Sequence, residues 1–310
     1  MTQLHRIVLA PRGIPKPVTY QRVAAARRAA AMLDAPSSLL VSHGPRMTMY
    51  GALALASRFR PRRHLAYSFN FTELPQGPLR AVMRRAFKSV DRFVCFSTME
   101  RELYADHFGL ELARFDMIHW AARPPAPPAA TDASLPADYL CAIGSQGRDY
   151  RTLLTAMAHL PEMRLVLVAT PESLGGANVP PNVEVRCNIP PAVAMGILQG
   201  ARFNVVPLLG SEVPCGHVTL VAAMHCGKAS IVSDSSGVTD YVQHGVNGLT
   251  VPPRDAAALA SRIEQLWRDP ALALRLGASA HTFARAHCGE PAAVDYLAGY
   301  LRTDAAGPRA

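Results

Sequence analysis

The sequence predicts an α/β protein built from two doubly wound, parallel-sheet domains. Three observations carry that expectation. Short apolar runs alternate with stretches of helical spacing along almost the whole chain, the signature of strand–helix–strand units. A tract without periodicity, Arg123 to Pro136 (RPPAPPAATDASLP), divides the alternation into two similar halves and reads as a semi-rigid linker. And 310 residues, 49% of them apolar and 18% charged, supply enough core for two domains of about 150 each.

In the first half, His5 to Ala10 reads as a strand, followed by a Pro-rich loop containing Arg12 and Gly13. Gln21 to Leu33 is rich in Ala and Arg and reads as a helix. Ser37 to Val41 is a strand that closes on Ser42-His43-Gly44, and Thr48 to Phe59 is helical. His64 to Ser68 is a strand ending at Phe69-Asn70-Phe71, and Leu79 to Val90 a helix. Arg92 to Phe96, Thr98 to Phe108 and Phe115 to Trp120 read as strand, helix and strand, with Ser97 or Thr98 capping the helix. Together with the linker, residues 1–124, 125–138, 139–289 and 290–310 form the expected first domain, linker, second domain and terminal helix.

The second half repeats the pattern. Tyr139 to Ile143, Arg164 to Ala169 and Val183 to Cys187 are strands, with helices at Asp149 to His159 and Pro191 to Gln199. Phe203 to Leu208 is a strand ending in a polar, Gly-containing loop, after which Gly216 to Met224 has helical spacing. Ala229 to Val232 is a strand, and Asp234-Ser-Ser-Gly237 leads to an expected helix over Val238 to Gln243. Turns at His244-Gly245 and Asn247-Gly248 precede a strand over Leu249 to Val251, and helices follow at Ala256 to Trp267, Ala271 to Ala286 and Pro291 to Leu301. Two strand ends thus open into helices through small polar loops, where free amides and the positive end of the helix make an anion site suited to a diphosphate.

Charge is uneven. Residues 1–128 carry 19 Lys/Arg and 8 Asp/Glu, a net of +11, whereas residues 129–310 carry 13 and 15, a net of −2. Only the first half is therefore expected to meet an anionic partner. Its cations cluster at Arg58, Arg60, Arg62 and Arg63 and along an amphipathic stretch with Arg80, Arg84, Arg85 and Lys88. That stretch reads either as a helix resting on an anionic membrane surface or as an ordinary solvated face. No nucleic-acid partner is expected, because aromatic residues do not interleave with the charges. The six cysteines are scattered without metal-ligand spacing and read as buried thiols in a reducing compartment. No apolar run is long enough to span a bilayer, and the N-terminal apolar run is too short for a signal peptide. The expectation is a cytoplasmic protein, peripheral at the inner face of the cell membrane if the basic face binds lipid.

Within Pro207 to Pro253, Ala223-Met224-His225-Cys226-Gly227-Lys228, Asp240-Tyr241-Val242, Gly245-Val246-Asn247-Gly248, Val251-Pro252-Pro253 and Asp255 stand in an order that resembles the C-terminal half of GT-B glycosyltransferases, in particular the retaining group called family 4. The resemblance implies a GT-B fold, two Rossmann-like domains facing a cleft, with the terminal helix crossing back to the first. It implies transfer of a sugar from a nucleotide-diphosphate donor, UDP- or GDP-linked, to a hydroxyl of a glycan or lipid-linked acceptor, as in cell-surface polysaccharide or glycolipid synthesis. No metal and no separate cofactor are expected.

The resemblance also assigns residues. The loop Gly144-Ser145-Gln146-Gly147-Arg148 carries the diphosphate, with Arg148 at the family's Lys and Ser145 where the family has Arg. A fixed cation there stabilises charge on the leaving phosphate, and Arg grips two oxygens at once. Cys215, Gly216, His217, Val218 and Thr219 form the donor loop, and Glu212 stands within a residue of the acid that meets the donor sugar. His217 contacts the donor or only caps a helix; Asp240 replaces the acid after the Gly turn or merely favours a helix start. The second acid of the pattern, which holds the ribose, is Ala222 here. A catalytically weak relative that serves as a binding subunit is the alternative. On the acceptor side stand His43 and Asn70, at strand ends where open α/β sheets bind ligands, with Gly13 in the first loop approaching the phosphates. For His43 a structural role is the other reading.

Overall fold

The computed structural model describes residues 17–33, 35, 38–57, 63–71, 73–127, 134–210 and 215–305. They divide into two compact units, Met1–Ile118 and His119–Ala310. The expected strand over His5 to Ala10, the loop with Arg12 and Gly13, the arginines 58, 60 and 62, and Glu212 all lie outside the described residues.

The first unit runs α1 (Pro17–Ala31), β1 (Leu39–His43), α2 (Pro45–Ala56), β2 (Arg63–Tyr67), α3 (Gly77–Phe87), β3 (Arg92–Cys95), α4 (Thr98–Phe108) and β4 (Phe115–Met117). The four strands pair in chain order, all parallel, in registers such as Leu39 with Arg63 and Phe93 with Phe115. Parallel strands covered by helices must be apolar, and the core shows it: Phe69, Phe87, Phe93, Phe108, Phe115 and Tyr104 are fully buried and meet largely edge to face. Ser97 caps α4 by accepting from Glu100 N at 3.2 Å, and the Glu100 carboxylate accepts in return from Phe96 N at 3.1 Å. Glu100 also accepts from the Tyr104 hydroxyl at 3.0 Å, and burial pushes its carboxyl up to about 7 against those donors.

The second unit runs β5 (Leu140–Ile143), α5 (Tyr150–Ala158), β6 (Leu165–Ala169), α6 (Pro171–Leu174), β7 (Val183–Cys187), α7 (Pro191–Gly200), β8 (Asn204–Val206), α8 (His217–His225), β9 (Ser230–Ser233), β10 (Leu249–Val251), α9 (Ala256–Arg268), α10 (Pro270–His287) and α11 (Glu290–Ala305). Its six parallel strands are ordered β10-β9-β8-β5-β6-β7. The chain winds outward from β5 through β6 to β7, then returns to the other side of β5 and winds the opposite way. The reversal between β5 and β8 is a topological switch point, the place where doubly wound sheets open a crevice at their carboxyl ends. Register pairing there is a single step, Cys141 opposite Asn204.

One expected helix is not formed. Residues 236–241 make a run of turns, closed by bonds such as Tyr241 N to Val238 O at 2.9 Å. Thr239 Oγ1 donates to Ser236 O at 3.1 Å, and the Asn247 side chain takes the main chain at both Tyr241 O and Gln243 N. Such local side-chain bonds offer the backbone an alternative to a helix. Of the two anion sites expected at helix starts, only that of α8 is built on one. The four-residue α6 is too short for its spacing to register in the sequence.

Candidate active site

At the switch point, the loop after β5 and the segment after β8 are held together by main chain. Asp149 N donates to Pro207 O at 3.0 Å, Leu209 N to Gly147 O at 3.1 Å, and Arg148 bridges Leu208. Asp149 then caps α5, its side chain accepting from Thr152 N at 3.1 Å and Thr152 Oγ1 at 2.7 Å. The loop 144–149 is therefore pinned at both ends, and Arg148 is delivered inward rather than to solvent.

Arg148 is only 8% exposed. Its Nη1 donates to Gln146 O at 3.1 Å and lies 3.9 Å from Cys215 Sγ; its Nη2 reaches Ile143 O at 3.4 Å and Thr219 Oγ1 at 3.5 Å. Only the first of these is a full-strength bond by length. Nε has no partner, and among the described residues no carboxylate pairs with the guanidinium. A buried cation is costly unless its charge is met, and among the described residues only neutral oxygens and a thiol approach this one. Two glycines make room for it. At Gly144, with φ +118°, a Cβ would stand 2.9 Å from Arg148 Nη2; at Gly216, with φ +101°, it would meet Val206 at 3.2 Å. Only glycine combines those backbone angles with that approach.

Gly216 also begins α8, with no side chain capping the helix. The amides of His217, Val218 and Thr219 are the unsatisfied first-turn donors, next to Arg148 and the half-buried Cys215. Thr219 Oγ1 donates to Ile143 O at 3.2 Å, tying the helix start to the end of β5. Burial pushes the Cys215 thiol up, with Arg148 opposing, so it stays protonated. His217 is buried and donates through Nε2 to Gly237 O at 2.6 Å, its ring 4.7 Å from that of Tyr241. Burial lowers its pKa, and it sits in the site as a neutral ring that fixes the 234–241 turns. Ser145 is turned away from the guanidinium, its Oγ accepting from Thr170 N at 2.9 Å. Asp240 lies in the turn run, where its carbonyl receives His119 Nε2 at 2.9 Å. Ala222 packs in an apolar cluster with Cys141, Ile143 and Ala194.

The acceptor-side residues lie in the first unit. A pocket of about 790 Å³ opens there, lined by His43, Gly44, Asn70 and Glu73 together with Arg22 and Arg46. It brings His43 and Asn70 together at the carboxyl ends of β1 and β2. His64, by contrast, is fully buried beneath, bonded through Nε2 to Ser42 Oγ at 2.8 Å, and burial lowers its pKa to about 4. Sequence reasoning missed Arg22 and Arg46. The Gly44-Pro45-Arg46 helix start was a signal for the second; nothing local marks the first.

The basic helix α3 is amphipathic in place, with Met83, Ala86 and Phe87 buried and Arg84, Arg85 and Lys88 exposed. Arg80 is committed, donating twice to His107 O at 2.9 and 2.6 Å and so closing the end of α4. Among the described residues no group of His, Cys, Asp or Glu is placed to hold a metal ion, and no helix is long and apolar enough to cross a membrane.

Two parallel-sheet α/β units, of four and six strands, match the GT-B architecture of glycosyltransferase structures. Residues 139–269, the body of the second unit, match the family described as glycosyl transferases group 1. No curated protein sequence matches the chain. Among solved structures, the chain is similar to sucrose-phosphate synthase from Thermosynechococcus elongatus at 22% identity, covering 95% of this chain and 81% of that one with a TM-score of 0.76. It is similar to Anabaena HepE in complex with UDP-glucose at 15% identity, covering 98% and 90% with a TM-score of 0.72. A glycosyltransferase from Rickettsia africae aligns at 11% identity over 93% and 82%, with a TM-score of 0.68.

Proposed function

We propose that the protein is a glycosyltransferase that moves a sugar from a nucleotide-diphosphate donor, UDP- or GDP-linked, to a hydroxyl of a glycan or lipid-linked acceptor, with retention at the anomeric carbon. The observation that carries this reading is the buried Arg148, with no carboxylate partner among the described residues, beside the uncapped start of α8. Such a constellation matches a diphosphate. The match of residues 139–269 to a glycosyltransferase family supports it, as does the likeness to a protein solved with UDP-glucose.

In this reading Arg148 and the amides of His217 and Val218 hold the diphosphate, with Gly144, Ser145, Gly216 and Thr219 shaping the approach. Glu212 and Asp240 belong to the sugar end, and Gly13 to the phosphates. The bond from the anomeric carbon to the phosphate oxygen breaks and its electron pair stays on that oxygen, where Arg148 meets the growing charge. The acceptor oxygen then bonds to the same carbon on the face the phosphate leaves, and its proton passes to the departing phosphate. His43 and Asn70 hold the acceptor. Positive charge comes from the protein itself, so the reading assigns no metal. In the same reading the enzyme is cytoplasmic, with the exposed basic face of α3 suited to the inner face of the membrane.

Ala222 favours one competing reading, a weak or inactive relative that binds rather than transfers. Calorimetry and hydrolysis assays with UDP-, GDP-, ADP- and dTDP-sugars separate the two. An enzyme binds one of them and releases its sugar slowly to water; binding without release in any condition sinks the enzyme, and no binding at all sinks both.

A further inference from the structure

The pocket of the first unit has a charge character that an ordinary sugar hydroxyl does not call for. Two guanidiniums line it, Arg22 from α1 and Arg46 from the first turn of α2, against one carboxylate, Glu73. Neither arginine has a hydrogen-bond or ion-pair partner among the described residues, unlike Arg80, Arg101 and Arg114 of the same unit, each of which donates to a main-chain carbonyl. Arg22 is half-buried, and the spacing Arg22, Ala26, Ala30 sets it on the helix face that packs in a cluster with Ala54 and Leu55 of α2. Its place beside the start of α2 is therefore a consequence of core packing. At that start Gly44 has φ +79° and gives no side-chain cap, so Arg46 and Met47, which both line the pocket, carry uncapped first-turn amides. With about 790 Å³ the volume fits a sugar ring plus one substituent.

We propose that this pocket takes a phosphate ester carried by the acceptor, gripped by Arg22 and Arg46, while Asn70 and Glu73 meet the neutral hydroxyls. The identity of the ligand as acceptor rests on the glycosyltransferase reading; the preference for a phosphate ester rests on the pocket alone. A guanidinium pair recognises phosphate through bidentate, charge-assisted bonds, and Glu73 opposite them discourages anionic groups elsewhere on the ligand. The ester comes from either of two sources, a soluble sugar phosphate or the headgroup of a phosphorylated lipid.

Titration calorimetry on the full chain tests it with glucose 6-phosphate against glucose, and with vesicles containing phosphatidate against phosphatidylcholine alone. The phosphorylated member of at least one pair should bind at least tenfold more tightly than its neutral counterpart. Arg22→Gln and Arg46→Gln should each weaken that binding roughly tenfold, since a hydrogen bond to a charged group is worth that much, and Arg46→Lys should keep part of it. Preference for the soluble ester assigns a sugar phosphate; preference for phosphatidate alone, lost in both variants, assigns a lipid. Equal binding of phosphorylated and neutral probes, or binding untouched in both Gln variants, overturns the proposal. A UDP titration separates its fate from that of the reaction. Phosphate-ester binding retained in a protein that binds no nucleotide sugar would leave this pocket standing and the transferase reading fallen.

Discussion

The two units use the same doubly wound plan and treat positive charge in opposite ways. In the second, the cation proposed for the site is a single arginine, 8% exposed, set at a switch point by a loop pinned at both ends. In the first, Arg22 and Arg46 line a pocket and Arg84, Arg85 and Lys88 are exposed along α3, while two titratable groups, Glu100 and His64, lie buried. On the proposed function, the difference shows how one architecture serves two demands. A leaving group that gains charge in the transition state is best met by a donor already in place, whereas a ligand that only has to be held tolerates adaptable arms.

The largest expected effect breaks the comparison at Arg148. Arg148→Ala should lower turnover by two to three orders of magnitude, on the order of losing a fixed oxyanion donor, while the Kd for the nucleoside monophosphate changes little. Arg148→Lys should recover only a fraction, because a point charge cannot replace the fork that spans Gln146 O and Thr219 Oγ1. Steady-state kinetics beside nucleotide titration decide it. Turnover unchanged in the Ala variant would remove the buried arginine from the chemistry.

A second prediction sharpens the contrast through pH. Glu100 is raised from 4.5 to about 7 by burial, so the folded state keeps a proton that the unfolded chain has lost, and this stability is present below pH 4.5 and lost as pH rises towards 7. His64 is lowered from 6.5 to about 4, so its stability is present above 6.5 and lost as pH falls towards 4. Each amounts to on the order of 3 kcal/mol. Between about pH 4.5 and 6.5 the two slopes oppose, and the first unit should be nearly flat in stability. Glu100→Gln should leave it rising with pH and His64→Gln falling, read from hydrogen exchange of the β2 and β3 amides. Parallel slopes in both variants would show that the pair does not govern this unit.

The sheet of each unit was readable because parallel strands buried on both faces are continuous apolar runs, as Leu165–Ala169 and Leu140–Ile143 are. Arg148 was readable only by its place in a family pattern; its burial is a product of the β5–β8 reversal, which no local spacing encodes. The helix expected over 238–243 failed because Asn247, several residues on, captures the main chain, and propensity does not see that competitor. Arg22 was invisible for a similar reason, since its neighbours on α2 are about two dozen residues away. Glu100 was within reach, because Ser97 followed by an acid three residues later is a capping box, yet its depth depends on the aromatic packing of Phe69 and Tyr104.

The smallest effect concerns the exposed charges of the first unit. On α3, Val82 is 47% exposed one turn before Arg85, with Lys88 exposed at the helix end, an apolar and cationic stretch suited to an anionic bilayer. Basic residues at such a surface contribute about 1 kcal/mol each, and the attraction decays over a Debye length. Replacing Arg85 and Lys88 with Gln should therefore weaken binding to phosphatidylglycerol vesicles by about 2 kcal/mol. Arg80→Gln should change pelleting less than either and lower thermal stability instead, because its guanidinium is spent on His107 O at the end of α4. Salt near ~0.5 M should mimic the double variant by screening. Turnover on a soluble acceptor should survive in all of them, since none lies at Arg148. Sedimentation with neutral and anionic vesicles reads the outcome: equal pelleting with both, or an Arg80 effect as large as that of Arg85, would reduce α3 to a solvated face.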